Sequence, residues 1–334
     1  MILSGRLDAE EPVVCAGLLL IGDPHVGSRR PGRRKDSAWP APVLAKLERC
    51  VEIANERDLA PVILGDLFEH ALEPDEALKG RLVRILKRFR LRPLVNVGNH
   101  DMRHTVLSDG DSLALLGTAD VVDVAPLSGP VRIIEMGGRR LGLGLTPYGQ
   151  PIPTDVRGAF PRADAVAWLT HHDIAFADSY PGAMPPHAVA GCDIAVNGHV
   201  HASKSPIRVG ATTWVNPGNI TRRTIDDLDH VPRAWVLSAD GRLSPEILPF
   251  AADVFDLTGR LVEAAAADMS ESVESAFVSL LKAESATDLA RSADGSLLRE
   301  EIEAKFERDG TSEPVRRTVL SLLAEAVERR AASA

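Results

Sequence analysis

Apolar and polar positions along the first part of the chain predict strands and helices in turn. A first buried strand is predicted within residues 13–21, followed by apolar residues at helical spacing and by a second strand over residues 61–64. A further amphipathic helix over residues 76–90 leads to a third strand over residues 93–97. This β-α-β-α-β order predicts a largely parallel sheet with short loops at the carboxyl ends of its strands.

After residue 121 the pattern predicts strands without intervening helices. Residues 131–135 and 141–145 flank Gly137-Gly138 and predict a hairpin. Further strands are predicted over residues 165–170, 193–197, 212–216, 234–237 and 243–248. Two sheets packed face to face and flanked by helices accommodate this order, so we predict an α/β fold.

The pattern changes near residue 251 and divides the chain into two predicted regions. Three amphipathic stripes follow within residues 251–334, and Ser312-Glu313-Pro314 is typical of a helix start. Residues 251–334 contain 10 Lys and Arg against 17 Asp and Glu, whereas residues 1–250 contain 28 against 30. We therefore predict a catalytic domain over residues 1–250 and an acidic helical C-terminal region over residues 251–334. Because the acidity lies mostly in this region, the net charge of -9 does not exclude a nucleic-acid substrate.

Side chains of the metal-ligating type occur at five places, most of them directly after an apolar run. They are Asp23-Pro24-His25, Gly65-Asp66, Gly98-Asn99-His100-Asp101, His171-His172 and Gly198-His199-Val200-His201. A single Asp-x-His tripeptide arises easily by chance. The repeated position at strand ends is more informative, because the carboxyl ends of parallel strands are gathered at one edge of a sheet. We therefore predict that these loops meet at one site.

The types of side chain indicate a site for two metal ions. Two carboxylates, one amide and four imidazoles are too many for a single tetrahedral zinc, but they fill two neighbouring positions if one carboxylate bridges. Mixed nitrogen and oxygen ligation suits Mn, Fe or Zn, and we expect Mn, with Fe or Zn as alternatives. Two such ions about 3.5 to 4 Å apart activate a water for phosphoester hydrolysis. Of the paired histidines we expect His171 to be the ligand, because side-chain alternation turns His172 to the other face. There His172 would support the ligands or contact substrate.

In their order and types, these five blocks resemble the motifs of the calcineurin-like metallophosphoesterase superfamily over residues 16–250. The resemblance implies a four-layer α/β/β/α sandwich. It implies that Asp23, His25 and His201 hold one metal ion, that Asn99, His171 and His199 hold the other, and that Asp66 bridges them. It also implies that His100 protonates the leaving oxygen and that Asp101 orients His100.

Within the superfamily, Gly65-Asp66-Leu67-Phe68 and Asn216-Pro217-Gly218 are similar to the SbcD-type DNA-repair nucleases. This resemblance implies a DNA nuclease, acting as an exonuclease or an endonuclease, with an SbcC-like ATPase as its partner. The sequence does not determine the oligomeric state, for which a homodimer is one option. The basic loop, residues 29–35, is expected to contact a nucleic-acid backbone or to be a solvated loop. Arg222 and Arg223 are expected to bind phosphate or to be ordinary charges at a sheet edge.

Two other functions are compatible with the same residues. A hydrolase of small phosphoesters, such as cyclic nucleotides or nucleotide diphosphate derivatives, would use every one of these metal ligands. A catalytically silent scaffold that binds proteins would not need to keep them. A panel of DNA and small phosphoesters separates the first two, and metal analysis separates the third.

The cysteines and the hydropathy pattern favour a cytoplasmic protein without a membrane span. Cys15, Cys50 and Cys192 are odd in number and far apart, so neither a disulfide framework nor a structural zinc site is predicted. The apolar stretch over residues 13–21 is too short to cross a bilayer and lacks the features of a targeting segment.

Overall fold

Two β-sheets and three α-helices make up the part of the chain that the computed structural model describes, namely residues 12–176 and 182–256 with Ile302, Glu303, Phe306, Arg316 and Leu320. The strands are β1 (Val13–Val14), β2 (Gly17–Ile21), β3 (Leu59–Ile63), β4 (Leu94–Asn96), β5 (Asp123–Ala125), β6 (Gly129–Met136), β7 (Arg139–Thr146), β8 (Ala165–His171), β9 (Ile194–Gly198), β10 (Lys204–Val209), β11 (Thr212–Asn216), β12 (Arg233–Ser238) and β13 (Leu243–Ile247). The helices are α1 (Ala41–Glu56), α2 (Glu76–Leu86) and α3 (Ser112–Thr118), and a 3-10 turn covers Ile225–Asp227.

Both sheets are largely parallel. The first has the order β13-β12-β2-β3-β4-β5, with β2 to β5 parallel and β12 antiparallel to β2. The second has the order β1-β6-β7-β8-β9-β11-β10, with β7, β8, β9 and β11 parallel. The predicted hairpin at Gly137-Gly138 is confirmed as the antiparallel pair β6 and β7.

The two sheets pack face to face, as the alternation of buried residues along β2 illustrates. Leu18 and Leu20 belong to the same buried cluster as Leu143 of the second sheet, whereas Leu19 and Ile21 belong to the cluster beneath the helices. Burial on both faces explains why β2 is an unbroken apolar run. The predicted α/β fold of two stacked sheets is confirmed.

The outer faces of the two sheets are covered differently. Helices α1 and α2 cover the first sheet with the apolar stripes that the sequence predicts, and Asp75 caps α2 by accepting a hydrogen bond from Leu78 N at 3.0 Å. On the second sheet, Trp168 and Trp214 pack against Phe160 and other residues of irregular segments. Among the described residues, no helix covers this face.

The predicted first strand is in fact two strands in different sheets. β1 pairs with β6 of the second sheet, and β2 pairs with β3 of the first. The chain crosses at Cys15 and Ala16, whose N–H groups donate to Glu135 O at 3.0 Å and to Asp58 O at 2.8 Å. Val14 is exposed at the change of sheet, yet the residues on both sides of it are apolar, so the apolar run continues through it. The hydrophobic pattern therefore does not reveal the break.

The predicted helical region over residues 251–334 lies mostly outside the described residues. The five described residues beyond 256 are helical, Ile302 and Phe306 are buried, and Arg316 Nη2 donates to Phe306 O at 3.0 Å. The domain boundary at residue 250 stays a prediction. Among the helices that the structure describes, none has the length and apolar character needed to cross a membrane.

Candidate metal centre

The loops that follow five strands bring the predicted ligands together from both sheets. In the first sheet, β2 leads to Asp23, β3 to Asp66 and β4 to Asn99. In the second sheet, β8 ends at His171 and β9 leads to His199. Side-chain contacts between these loops join the carboxyl ends of both sheets in a single cluster.

Asp66 lies at the middle of the cluster. Its Oδ2 is 3.7 Å from His25 Nε2 and 3.2 Å from His171 Nε2, and its Oδ1 accepts a hydrogen bond from His100 N at 2.9 Å. Burial alone would raise the pKa of Asp66, but His171, His100 and His25 outweigh it and hold the pKa well below its usual value. The carboxylate therefore faces histidines from both predicted metal positions.

His25 and His201 form one side of the cluster beside Arg223. The Nε2 atoms of the two histidines are 3.1 Å apart, and Arg223 Nη1 is 3.5 Å from His25 Nε2. Burial, and then the charge of Arg223, lower the pKa of His25 to about 4. Burial and the neighbouring cationic groups also lower the pKa of His201. Both rings are thus neutral at pH 7, the form that binds a metal ion.

His171 and His199 form the other side, with Asn99 and Asp23. His199 Nδ1 is 3.0 Å from Asn99 Oδ1, and the rings of His171 and His199 are 5.1 Å apart. Asp23 Oδ1 accepts from His199 N at 3.0 Å and lies 3.5 Å from His171 Nδ1. Burial would lower the pKa of His171, but the carboxylates of Asp66 and Asp23 raise it to about 9. Asp23, which the family resemblance places with His25 and His201, thus contacts His171 and His199 of the other group.

Backbone strain is concentrated at the cluster. Asp23, His25, Asp66 and His199 have φ angles of 36°, 48°, 47° and 71°. A non-glycine residue in this left-handed region costs on the order of 1 kcal/mol. The described chain has only two other such residues, Asp58 and Asp120, so the strain coincides with the predicted ligands.

The glycines before the ligands are explained by close approach. A Cβ on Gly65 would lie 2.2 Å from His171 Nδ1, and one on Gly98 would lie 2.1 Å from Asp66 Oδ1. A Cβ on Gly198 would lie 2.8 Å from His171 Nδ1. Each glycine therefore leaves room for a ligand from a different loop.

Two carboxylates that the sequence analysis did not assign lie beside the ligand histidines. Glu69 Oε2 is 3.2 Å from His25 Nδ1, and Glu69 Oε1 accepts from Arg223 Nη2 at 2.6 Å. Asp173 Oδ1 is hydrogen-bonded to His199 Nε2 at 3.0 Å. Burial would raise the pKa of Glu69, but Arg223 and His25 hold it far below its usual value. Closeness in sequence to the motifs was the only available signal, because neither residue has a ligand spacing.

His100 is oriented by a backbone group rather than by Asp101. Its ring meets that of His25 edge to face at 4.9 Å, and its Nδ1 donates to the Glu69 carbonyl at 2.7 Å. Asp101 instead accepts from Phe68 N at 3.1 Å and from Gly98 N at 3.0 Å. The expected orienting role of Asp101 is therefore replaced by that of a brace between two ligand loops. Burial, with the charge of Asp66, raises the pKa of Asp101 to about 7.

The two adjacent arginines have different surroundings. Arg223 reaches the cluster through Glu69 and His25. Arg222 is only 2% exposed, and its guanidinium donates to main-chain carbonyl groups. These acceptors are the carbonyls of Asp227, Leu228, Ala251 and Ala252. The expected phosphate contact of Arg222 is therefore replaced by a structural role.

His172 is also held by the main chain. Its Nε2 donates to Gln150 O at 2.8 Å, and its Nδ1 accepts from His171 N at 3.2 Å. Both ring nitrogens are thus engaged, and burial is the main cause that lowers the pKa of His172 to about 4. The side chain supports the loop that carries His171, which is the first of its two expected roles, and its ring nitrogens are not turned to a substrate.

The basic loop, residues 29–35, is tied to the fold by one buried arginine and by a surface ion pair. Arg34 is 3% exposed and donates to both carboxylate oxygens of Asp36 at 2.8 Å and to Arg222 O at 2.7 Å. Lys35 Nζ is 2.6 Å from Asp253 Oδ1. The loop is thereby attached to residues 251–256.

Comparisons with known proteins agree with the motifs. The model of the family described as Calcineurin-like phosphoesterase matches residues 17–203. The fold is similar to that of a 5'-nucleotidase precursor from Thermus thermophilus, with 16% identity and a TM-score of 0.44, over 69% of this chain and 54% of that one. It is also similar to the Haemophilus influenzae NAD nucleotidase, with 12% identity and a TM-score of 0.41, over 71% and 51% of the two chains. The chain thus spans about half the length of these solved structures. No protein of curated function matches it.

Proposed function

We propose, from the premise that the chain belongs to the calcineurin-like phosphoesterase family, that this metal-dependent phosphoesterase acts on small phosphoesters of the nucleotide type. A DNA nuclease of the SbcD type is the second candidate. Both candidates use the same metal centre, so the choice between them depends on the residues that surround it.

The donor set fits two divalent metal ions. Asp23 Oδ2 is buried without a hydrogen-bond partner. Leaving such an atom unsatisfied costs about 1–3 kcal/mol, and a carboxylate oxygen beside imidazole nitrogens makes up the mixed oxygen and nitrogen set that transition metals prefer. We assign His25 and His201 to one ion, Asn99, His171 and His199 to the other, and Asp66 to both. Asp23 completes the first set, and we expect Mn, with Fe or Zn as alternatives.

The residues around these ligands account for proton transfer and phosphate binding. When bound, a pair of divalent ions supplies a nucleophilic water and neutralises phosphate charge. The Glu69 carbonyl holds the Nδ1 proton of His100, so Nε2 is the nitrogen that exchanges a proton with the leaving oxygen. Arg223, held by Glu69, supplies one fixed cation for a phosphate oxygen.

The observation that carries the choice of a small substrate is the burial of Arg34 and Arg222, two cations expected to contact a nucleic-acid backbone or a phosphate. Arg34 is buried against Asp36, and Arg222 is turned to main-chain carbonyls. Of the two adjacent arginines, Arg223 is the one that contacts the metal centre, and one arginine beside two metal ions suits a single phosphate group.

A substrate panel tests this proposal. Protein loaded with Mn, Zn or Fe should hydrolyse at least one of bis-p-nitrophenyl phosphate, 5'-AMP, cyclic AMP and NAD, and should leave linear single- and double-stranded DNA intact. Degradation of DNA with no turnover of the small compounds would establish the nuclease instead. Metal analysis that finds less than one ion per chain, with no hydrolysis, would favour the scaffold. The Asp66→Asn variant, purified in the same way, controls for contaminating phosphatases.

The other expectations stay proposals. An SbcC-like ATPase, a homodimer and a cytoplasmic location follow only from the sequence. Size measurement of the full chain at several concentrations tests the homodimer.

A further inference from the structure

Asp173 is a carboxylate outside the predicted ligand set that touches a predicted ligand. Its Oδ1 is 3.0 Å from His199 Nε2, a hydrogen-bond distance, and the side chains of His199 and Asp173 are 20% and 29% exposed. The main chain of Asp173 is anchored by a hydrogen bond from Met184 N at 2.8 Å. The carboxylate is thus attached to the fold independently of His199.

The two nitrogens of His199 have different neighbours. Nε2 faces Asp173, whereas Nδ1 lies 3.0 Å from Asn99 Oδ1, an atom of another predicted ligand. His199 also has a positive φ of 71° and is fixed through its N–H to Asp23 Oδ1 at 3.0 Å. Backbone and ring are therefore both constrained, with Nδ1 toward the cluster and Nε2 away from it.

A neutral imidazole has one N–H, and its position decides which nitrogen can bind a metal ion. A carboxylate on Nε2 accepts the N–H there and leaves the lone pair on Nδ1. It also makes Nδ1 a stronger donor, because partial transfer of the proton toward the carboxylate increases the electron density of the ring.

We propose that Asp173 is a positioning residue that makes His199 bind its metal ion through Nδ1. This inference rests on the proposed dinuclear centre and identifies how one of its positions is built. Asp173 itself does not bind the ion, because it contacts the ring on the side opposite to Asn99.

Metal titration of the full chain tests the inference without any substrate. Metal-free protein is titrated with Zn against a chelator of known affinity, for the wild type, Asp173→Asn and Asp173→Ala. Removal of such a carboxylate weakens metal binding about 10- to 100-fold. We expect Asp173→Ala to lower the affinity for one of the two ions within this range. Asp173→Asn, whose amide oxygen still accepts the N–H, should recover part of the lost affinity.

Double variants identify the ion that is affected. Combined with His199→Ala, the Asp173→Ala change should cause no further loss, because both act on one position. Combined with His25→Ala, the Asp173→Ala change should lower the affinity for the remaining ion. Asp240→Asn, at an exposed turn carboxylate, is the matched control and should leave both affinities unchanged.

Nitrogen-15 NMR of the Zn-loaded protein supplies a direct readout. The His199 ring should show a metal-bound Nδ1 and a protonated Nε2 in the wild type, and a mixture of tautomers or a loss of the bound signal in Asp173→Ala. A zinc-bound Nε2 in the wild type, unchanged affinities in both variants, or equal weakening of both ions would each overturn the inference. Failure of the wild type to bind two ions would instead overturn the proposed function, so the two failures are distinguishable.

Discussion

The two sides of the metal centre differ in where their charge comes from. The arginine half consists of His25, His201, Glu69 and Arg223, and the carboxylate half consists of Asn99, His171, His199 and Asp173. Burial, together with the fixed cation of Arg223, lowers the pKa of the histidines in the first half, whereas Asp66 and Asp23 raise the pKa of His171 to about 9 in the second. One half can attract phosphate without a metal ion, while the other attracts the metal ion itself.

The difference teaches that the two proposed metal positions have different electrostatic surroundings. A cation beside neutral histidines orients an anionic substrate, and an excess of negative charge beside His171 and His199 favours a tightly held ion. Asp66 belongs to both halves, since its Oδ2 faces His25 and His171. Substitutions that act on one half, on both or on neither should therefore have separable effects.

The largest effect is expected from Asp66→Asn, because it removes the charge shared by both halves. We expect kcat/KM on the best small substrate to fall by about 10³-fold or more, a loss comparable to that of a central group for charge stabilisation. Metal analysis should show that the affinity for both ions is lowered. Retention of either ion at wild-type affinity would contradict the assignment of Asp66 as a bridge.

Substitutions at the adjacent residues Arg222 and Arg223 should affect stability and activity, respectively. Arg223→Met should lower kcat/KM about 10- to 100-fold, because a charge-assisted hydrogen bond contributes about 1.5–3 kcal/mol. Arg222→Met should lower the free energy of unfolding by about 3 kcal/mol, since it leaves several buried carbonyls unsatisfied. Urea unfolding and steady-state kinetics of both variants measure the two effects. An Arg223→Met enzyme with unchanged kinetics would remove phosphate binding from the arginine half.

Metal removal should reverse the sign of the effect that one substitution has on protein stability. Asp23 is fully buried, and burial raises its pKa, which means that its charged form destabilises the metal-free fold at pH 7. Asp23→Asn keeps the acceptor for His199 N, so it should stabilise metal-free protein by about 1 kcal/mol. In Mn-loaded protein it should destabilise, because an ion at 100 times its Kd contributes about 2.7 kcal/mol that depends on the ligand. Thermal unfolding with and without EDTA checks both signs, and the same sign in both states would contradict the role of Asp23 as a ligand.

The smallest effect is expected outside both halves, at the exposed start of the basic loop. The double variant Arg29→Ser and Arg30→Ser should change turnover of a small diester by less than about twofold, because surface charges contribute only about 0–1 kcal/mol. Steady-state kinetics at two salt concentrations make the measurement. A strong, salt-sensitive loss of DNA binding in this variant would instead support the nuclease as the function.

The sequence predicted the elements with strong periodicity and the ligands that follow them. Buried parallel strands are continuous apolar runs, and such runs ending in Asp, Asn or His mark the edge where ligands meet. Strands β2, β3, β8 and β9 were therefore predicted within a few residues of their bounds. The short elements α3, β5 and β10 were not, because their segments are too short to establish a period.

The hydrophobic pattern could not predict contacts between residues that are far apart in sequence. Asp173 and Glu69 are ordinary loop carboxylates in sequence, and only the folded chain shows which histidine each one faces. Arg222 and Arg223 have the same charge and adjacent numbers, yet one is buried against carbonyls and the other reaches the cluster. The two arginines carry the same charge, so only their positions in the fold show which one is structural and which one contacts the cluster.

The position of Arg222 also has a mechanical consequence. Its guanidinium holds Ala251 and Ala252, while the next residue along the chain, Arg223, reaches the metal centre. A pull on the segment that leaves the sandwich at residue 251 would first break the hydrogen bonds of Arg222. The strain would then pass through a single peptide bond to Arg223. The segment at residues 251–252 and the metal centre are thus linked through two adjacent arginines.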